Sequence, residues 1–151
     1  MKIIRNICRY LVGIVFIFSG TVKAIDPLGS VYKFQDYFQA FHLGFLKEFS
    51  LLLTILLCTI EFIAGFSLFF NIRQRAGLIL ALLLMLFFTP LTFILALTNP
   101  VTDCGCFGDA IHLTNWQSFL KNIILFIPVI YLFISRREVL PEPGKIRSWI
   151  K

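Results

Sequence analysis

The sequence predicts an all-α membrane protein, a four-transmembrane-helix bundle with both termini cytoplasmic. Three observations carry this. Hydrophobic residues make up 58% of the 151-residue chain and charged residues 15%, against roughly 25% charged in soluble globular domains. One domain of this length cannot enclose that much apolar surface in its own core, and the mean hydropathy of +0.87 points the same way. Four apolar runs approach the roughly 20 helical residues that a bilayer core requires. Lysine and arginine are sorted by side.

The spans run over residues 7–25, 49–70, 76–98 and 116–135, so residues 1–135 form the transmembrane domain and 136–151 a cytoplasmic tail. The first run has a basic start and a Val22-Lys23-Ala24 that loosely resembles a signal-peptide cleavage site. Against cleavage stand the run's length and the lysine beside the supposed cut. The second and third runs are joined by Asn71-Ile72-Arg73-Gln74-Arg75, a link short enough for an antiparallel helical hairpin. The third contains Pro90, which should kink it, with Thr89 and Thr92 placed to engage freed backbone groups. The tail carries Pro141-Glu142-Pro143-Gly144 and cannot be regularly helical throughout.

With four spans, Lys2, Arg5, Arg9, Arg73, Arg75, Arg136, Arg137, Lys145, Arg147 and Lys151 all fall on one side. Only Lys23, Lys33, Lys47 and Lys121 fall on the other. The positive-inside rule makes the richer side cytoplasmic and places the 26–48 and 99–115 loops outside. The net charge of +6 is therefore a topology signal. Its residues flank apolar segments and form no nucleic-acid-binding stripe.

In the 26–48 loop Val31, Phe34, Phe38 and Phe41 recur at helical spacing, interleaved with Lys33, Asp36 and Gln39, while Tyr32 and Tyr37 add polar-tipped aromatics. This predicts an amphipathic interfacial helix between helices one and two. It either rests in the membrane surface or caps the bundle.

The 99–115 loop carries the chemistry. Asn99-Pro100 should end helix three, and Thr114-Asn115-Trp116-Gln117 offers a capping box for helix four. Trp116 is an interface anchor. Between these ends stands Cys104-Gly105-Cys106-Phe107-Gly108. Cysteines one residue apart close a tight ring at the upper end of the permitted span. A strained, exposed disulfide exchanges readily, as a redox-active pair must, whereas a structural staple stabilises more when it closes a longer loop. Asp103 and Asp109 disfavour a thiolate beside them, and the N-terminus of helix four acts in the opposite direction. Three readings stand: a redox pair, with His112 a candidate helper; a structural disulfide; and a metal site of Cys104, Cys106, Asp109 and His112. The last lacks standard zinc spacing. His42 in the other loop reads as an ordinary solvated side chain.

Glu61 is the single acidic residue well inside a span, which makes it a functional candidate. Counted from the outer face it lies about 18 Å deep, level with Gly13 and Pro128. A small residue and a kink there leave room for water or a quinone headgroup. The alternative is a protonated glutamic acid hydrogen-bonded to a neighbouring helix. Lys23 and Asp26, at i,i+3, are placed to pair at the outer end of helix one. Gly13 and Gly20, seven apart, permit close helix packing within or between chains.

Cys104-Gly105-Cys106-Phe107-Gly108 after a third apolar helix, with Phe18-Ser19-Gly20, Lys23 and Asp26-Pro27 in helix one, resembles the MauE-like branch of the DoxX-type membrane proteins over residues 5–135. The resemblance implies a four-helix membrane bundle linked to extracytoplasmic thiol–disulfide chemistry. It also implies methylamine utilisation, where such proteins support maturation of the disulfide-rich small subunit of methylamine dehydrogenase beside a thioredoxin-like partner. It carries over only Cys104 and Cys106 as site residues. Quinone-coupled disulfide generators usually hold a second cysteine pair. Here the remaining cysteines are Cys8, at the cytoplasmic end of helix one, and Cys58, about 14 Å below the outer face. Both read as buried apolar residues. A single-pair carrier or docking protein is therefore expected rather than a self-contained oxidase.

Overall fold

The computed structural model describes residues 2–99 and 113–135. It contains five α-helices, α1 (Lys2–Ile25), α2 (Pro27–Ala40), α3 (Ser50–Phe69), α4 (Gln74–Thr98) and α5 (Asn115–Ile134), with a 3-10 turn at Gly44–Phe49 leading into α3. Four helical segments, Ile3–Ile25, Gly44–Phe69, Gln74–Thr98 and Asn115–Ile134, are long and apolar enough to cross a membrane. The predicted all-α, four-span architecture is what the chain builds. Large apolar side chains such as Leu52, Leu83, Phe87 and Ile127 stay exposed on the bundle's outer surface, where lipid is their solvent.

Each boundary has a local cause. Asp26 caps α2: its carboxylate accepts a hydrogen bond from the Gly29 N–H at 3.2 Å, and Pro27 occupies the first turn, where no donor is needed. His42 ends α2 in the left-handed region, at φ 58°. The following Leu43 N–H bonds back to the Phe38 carbonyl and the His42 N–H to that of Gln39, the paired bonds of a Schellman cap. Asn71, at φ 62°, plays the same part at the end of α3, with Ile72 N–H bonded to Ser67 O at 3.0 Å. Helix α4 then starts at Gln74, so Arg75 belongs to the helix rather than to the link. At the far end Asn99 takes φ 43° and closes α4. The expected capping box opens α5, with Thr114 and Gln117 bonded reciprocally.

The spans form a ring in which α1 packs on α3, α3 on α4, α4 on α5 and α5 on α1. The core between them holds Val12, Phe16, Ala64, Leu68, Ala81, Met85, Leu125 and Val129. The closest approach is α1 against α3. A Cβ on Gly65 would lie 2.6 Å from Ile17 N and 2.8 Å from Gly13 O, and one on Gly20 would lie 2.9 Å from Cys58 O and from Phe62 N. Gly13 and Gly20 therefore serve packing within the chain, and Gly65 completes the seam from the other side.

This seam fixes an offset. Gly20 is level with Cys58 and Phe62, and Gly13 with Gly65 and Phe69. The chain leaves α1 at Ile25, below the start of α3. Helix α2 fills the space above, tied down by Gln35 Nε2 donating to Ser50 Oγ at 3.3 Å and by Tyr37 buried against Leu95 of α4. Of the two roles open to the amphipathic helix, α2 takes that of a cap on the bundle. Its inward face carries Ser30, Val31, Phe34 and Tyr37, while Phe41 is exposed.

Candidate functional site

Beneath α2 all five helices surround a cavity of about 60 Å³. Ser30, Lys33, Phe34 and Tyr37 face it from α2 at i, i+3, i+4 and i+7, one stripe of a helix. Lys23 and Ser19 of α1, Glu61 of α3, and Lys121 and Asn122 of α5 supply most of its remaining polar lining, among apolar walls from α4.

Glu61 is the centre of a buried polar cluster. Lys23 Nζ lies 2.7 Å from Glu61 Oε2 and 2.9 Å from Oε1, and it also donates to Ser19 Oγ at 2.8 Å. Ser19 Oγ donates in turn to Glu61 Oε2 at 2.9 Å. Lys23 and Glu61 are 4% and 7% exposed. An ionised pair at this depth is tolerable only because each charge meets the other and the spare carboxylate oxygen positions are hydrogen-bonded. Lys23 and Ser19 are one turn apart on α1, so one helix face presents both groups to α3.

Glu61 bonds to a neighbouring helix, as one alternative held, through Lys23 Nζ and Ser19 Oγ. Two expectations change here. Lys23 does not pair with Asp26. The Asp26 carboxylate is used by the start of α2, and Lys23 lies on the face of α1 that packs against α3. Nor is Glu61 level with Gly13 and Pro128. Its neighbours are Ser19 and Lys23, because α1 ends well below the start of α3 and equal counts from the two ends do not reach equal depths. Gly13 packs one to two turns further in, against Gly65 and Phe69.

A second polar link joins α4 to α5. Asn122 Nδ2 donates to Thr92 Oγ1 at 3.1 Å and to Phe88 O at 3.3 Å, and Thr92 Oγ1 donates to Phe88 O at 2.8 Å. The carbonyl opposite Pro90's missing N–H is that of Leu86. Thr92 Oγ1 thus donates to the Phe88 and Thr89 carbonyls instead. Asn122→Leu should lower stability by about 0.6–2 kcal/mol, the range for interhelical hydrogen bonds in membranes, read as a lower unfolding midpoint in mixed micelles.

Cys104, Cys106, Asp109 and His112 lie outside the described residues, as does the tail from 136 on. The ends of their loop are described. Asn115 Nδ2 donates to Asn99 Oδ1 at 3.1 Å, so the end of α4 and the start of α5 are held side by side. Among the described residues, Cys8 and Cys58 are free thiols. Cys58 is buried, with its Sγ 3.2 Å from Ile55 O, and its backbone borders Gly20 in the helix seam. Cys8 sits further along α1, away from the level of Cys58.

Sequence reasoning missed Ser19, Ser30, Lys33, Lys121 and Asn122 as one cluster. A signal was available for its centre: Lys23 and Glu61, two opposite charges inside apolar runs, each need a partner.

A family model described as "Methylamine utilisation protein MauE" matches residues 1–135. Among curated proteins, the chain is 32% identical over 129 residues to Protein TlpB of Flavobacterium psychrophilum. The alignment covers 83% of this chain and 35% of that protein, so the chain spans about a third of the relative's length. No solved structure matches.

Proposed function

We propose that this chain, which belongs to the MauE family, acts in extracytoplasmic thiol–disulfide exchange with a thioredoxin-like partner, through Cys104 and Cys106. The observation that carries this reading is the Cys104-Gly105-Cys106 sequence inside the matched region, on a loop whose two ends Asn99 and Asn115 are bonded together. The bond between those ends supports reading the segment between them as a docking point for a partner. A strained, accessible disulfide of that kind is readily attacked by a partner thiolate.

In the exchange, a thiolate of a partner dithiol attacks one sulfur of the Cys104–Cys106 disulfide. The first product is a mixed disulfide and a free thiol on this chain. The partner's second thiolate then attacks the partner's own sulfur in the mixed disulfide and expels the bonded cysteine of this chain, leaving the partner oxidised and Cys104 and Cys106 reduced by two electrons and two protons. The reverse sequence oxidises this chain at the expense of a partner disulfide. Cys58 is buried in the α1–α3 seam and Cys8 lies away from its level, which supports a carrier that depends on external partners for both half-reactions. The lysine and arginine bias puts both termini in the cytoplasm of a bacterial inner membrane and the cysteine loop outside. The family's description names methylamine utilisation, and the proposed final substrate is a disulfide-containing protein of that process.

The test is size-shifting alkylation of native membranes from a Cys8→Ser/Cys58→Ala background. Cys104 and Cys106 should be protected before, and alkylated after, treatment with a mild dithiol. Cys106→Ser should leave Cys104 able to trap a mixed disulfide with a partner. Thiols that are reduced in oxidised membranes, or a bond that no mild dithiol opens, would overturn the reading. Loss of abundance in Cys104→Ser/Cys106→Ser would identify a staple. Stoichiometric soft metal, lost in Cys106→Ser, would identify a metal site.

A further inference from the structure

The cavity under α2 gathers four polar side chains that are almost wholly buried. Ser30 is 3% exposed, Lys23 4%, Glu61 7% and Ser19 8%. Three of them are bonded to one another, since Lys23 Nζ and Ser19 Oγ both donate to Glu61. Ser30 stands apart from that cluster. It lines the cavity from α2, and its Oγ has no hydrogen-bond partner among the described residues. Buried hydroxyls are met by a protein group or by ordered water. The other titratable groups that face Glu61 across the cavity are Lys33 and Tyr37 on α2 and Lys121 on α5, and each already has a partner of its own. Helix α4 contributes apolar walls, Leu84, Met85, Phe88 and Leu91.

Size and polarity together select the occupant. A cavity of about 60 Å³ has room for several waters at roughly 10–15 Å³ each, and each water needs about two to four polar partners. Ser30 Oγ supplies a donor and an acceptor, and the Glu61 carboxylate supplies further acceptor positions. An apolar occupant such as a lipid chain would leave the Ser30 hydroxyl unmet. We infer that the cavity is a hydration site, in which a cluster of a few waters bridges Ser30 Oγ to the Lys23–Glu61 pair. The cluster exchanges with the aqueous phase on the side of α2, where Lys33 and Phe34 of the lining are only partly buried. Beyond the pair the core is apolar, with Val12, Ala64, Leu68 and Ala81. Glu61 and Lys23 are thus a protonation site inside the membrane, served by water from the α2 side alone. The thiol–disulfide reading uses neither the cavity nor the pair, so the two stand or fall separately.

The experiment uses the full chain and has two readouts. In the first, X-ray radiolysis in neutral detergent micelles generates hydroxyl radicals from bound water as well as from bulk water, and these oxidise the side chains beside them. Met85 and Phe16 line the cavity at 5% and 4% exposure, so bulk water reaches neither. Both should be oxidised in the wild type, after correction for intrinsic reactivity, well above Leu68, which is 2% exposed in the same core and does not line the cavity. Ser30→Leu fills the cavity from α2 and Leu84→Phe fills it from α4, and each should abolish that excess. The second readout is magnetic resonance of the lysine-labelled chain in bilayers, with Lys23 identified by its contact with the Glu61 carboxylate. The Lys23 ammonium should exchange protons with water in the wild type and lose that exchange in a folded filling variant. The proposal is overturned if Met85 and Phe16 of the wild type are marked no more than Leu68, the result of a dry or lipid-filled cavity. Proton exchange that persists at the wild-type rate in a folded filling variant overturns it equally, since protons would then reach the pair by another way. If one filling variant fails to fold, the other carries the comparison, and the wild-type marking stands as a test by itself.

Discussion

Lys23→Met should destabilise the protein by about 3–5 kcal/mol, the usual cost of removing one member of a buried ion pair. The Glu61 carboxylate would keep only the hydroxyl of Ser19 as a partner, at 7% exposure and inside a helix bundle. Glu61→Leu should do comparable harm, because it leaves the Lys23 ammonium with Ser19 Oγ as its remaining bonded neighbour. The double variant Lys23→Met/Glu61→Leu should recover most of the loss, since both charges then leave together and apolar side chains of similar reach replace them. The measurement is a double-mutant cycle on unfolding in mixed micelles. Losses that simply add would show that the two groups are not coupled, contrary to the 2.7 Å contact between them.

The second large effect is expected at Gly65. A Cβ there meets backbone, Ile17 N at 2.6 Å and Gly13 O at 2.8 Å, and backbone in the middle of a helix cannot turn aside as a side-chain tip can. Gly65→Ala should therefore cost about 1–3 kcal/mol through overpacking. Gly65→Leu should separate α1 from α3 and prevent the native bundle from forming, read as loss of folded protein in membranes. The harm would spread, because Lys23 and Ser19 reach Glu61 only across this close seam. Gly44→Ala is the internal control. Nothing lies within 4 Å of a Cβ at Gly44, and stability there should stay within about 0.5 kcal/mol of wild type. Equal losses at Gly44 and Gly65 would show that the glycines act through backbone flexibility rather than contact.

Much of the fold was legible in the sequence because membrane insertion is a one-dimensional problem. Apolar length marks a span, and Pro, Asn and Thr mark its ends. Thr114 and Gln117 form the capping box that their spacing announces, and Asn99 stops α4 just before Pro100. Interactions across the bundle were harder to read. Lys23 and Asp26 have suitable spacing for a pair, yet Lys23 finds Glu61, which is 38 residues away. Tyr37 reads along the sequence only as a polar-tipped aromatic of an amphipathic helix, yet it is 9% exposed and packed against Leu95. In both cases the deciding fact is which side of a helix meets a neighbour, and periodicity along one helix cannot supply the neighbour's position.

By itself, then, the sequence determined the solvent, the number of spans, the end of α4 and the start of α5. These depend on composition and on contacts within a few residues. Only the tertiary structure decided the depth of Glu61 and the identity of its partner. The glycine seam sets α1 deeper than α3 and leaves α2 as the cap, and this offset brings Lys23, Ser19, Ser30, Lys33, Lys121 and Asn122 around one small cavity. The physical reason is that a helix fixes its own register from local hydrogen bonds, whereas the register between two helices is fixed by where their backbones can touch.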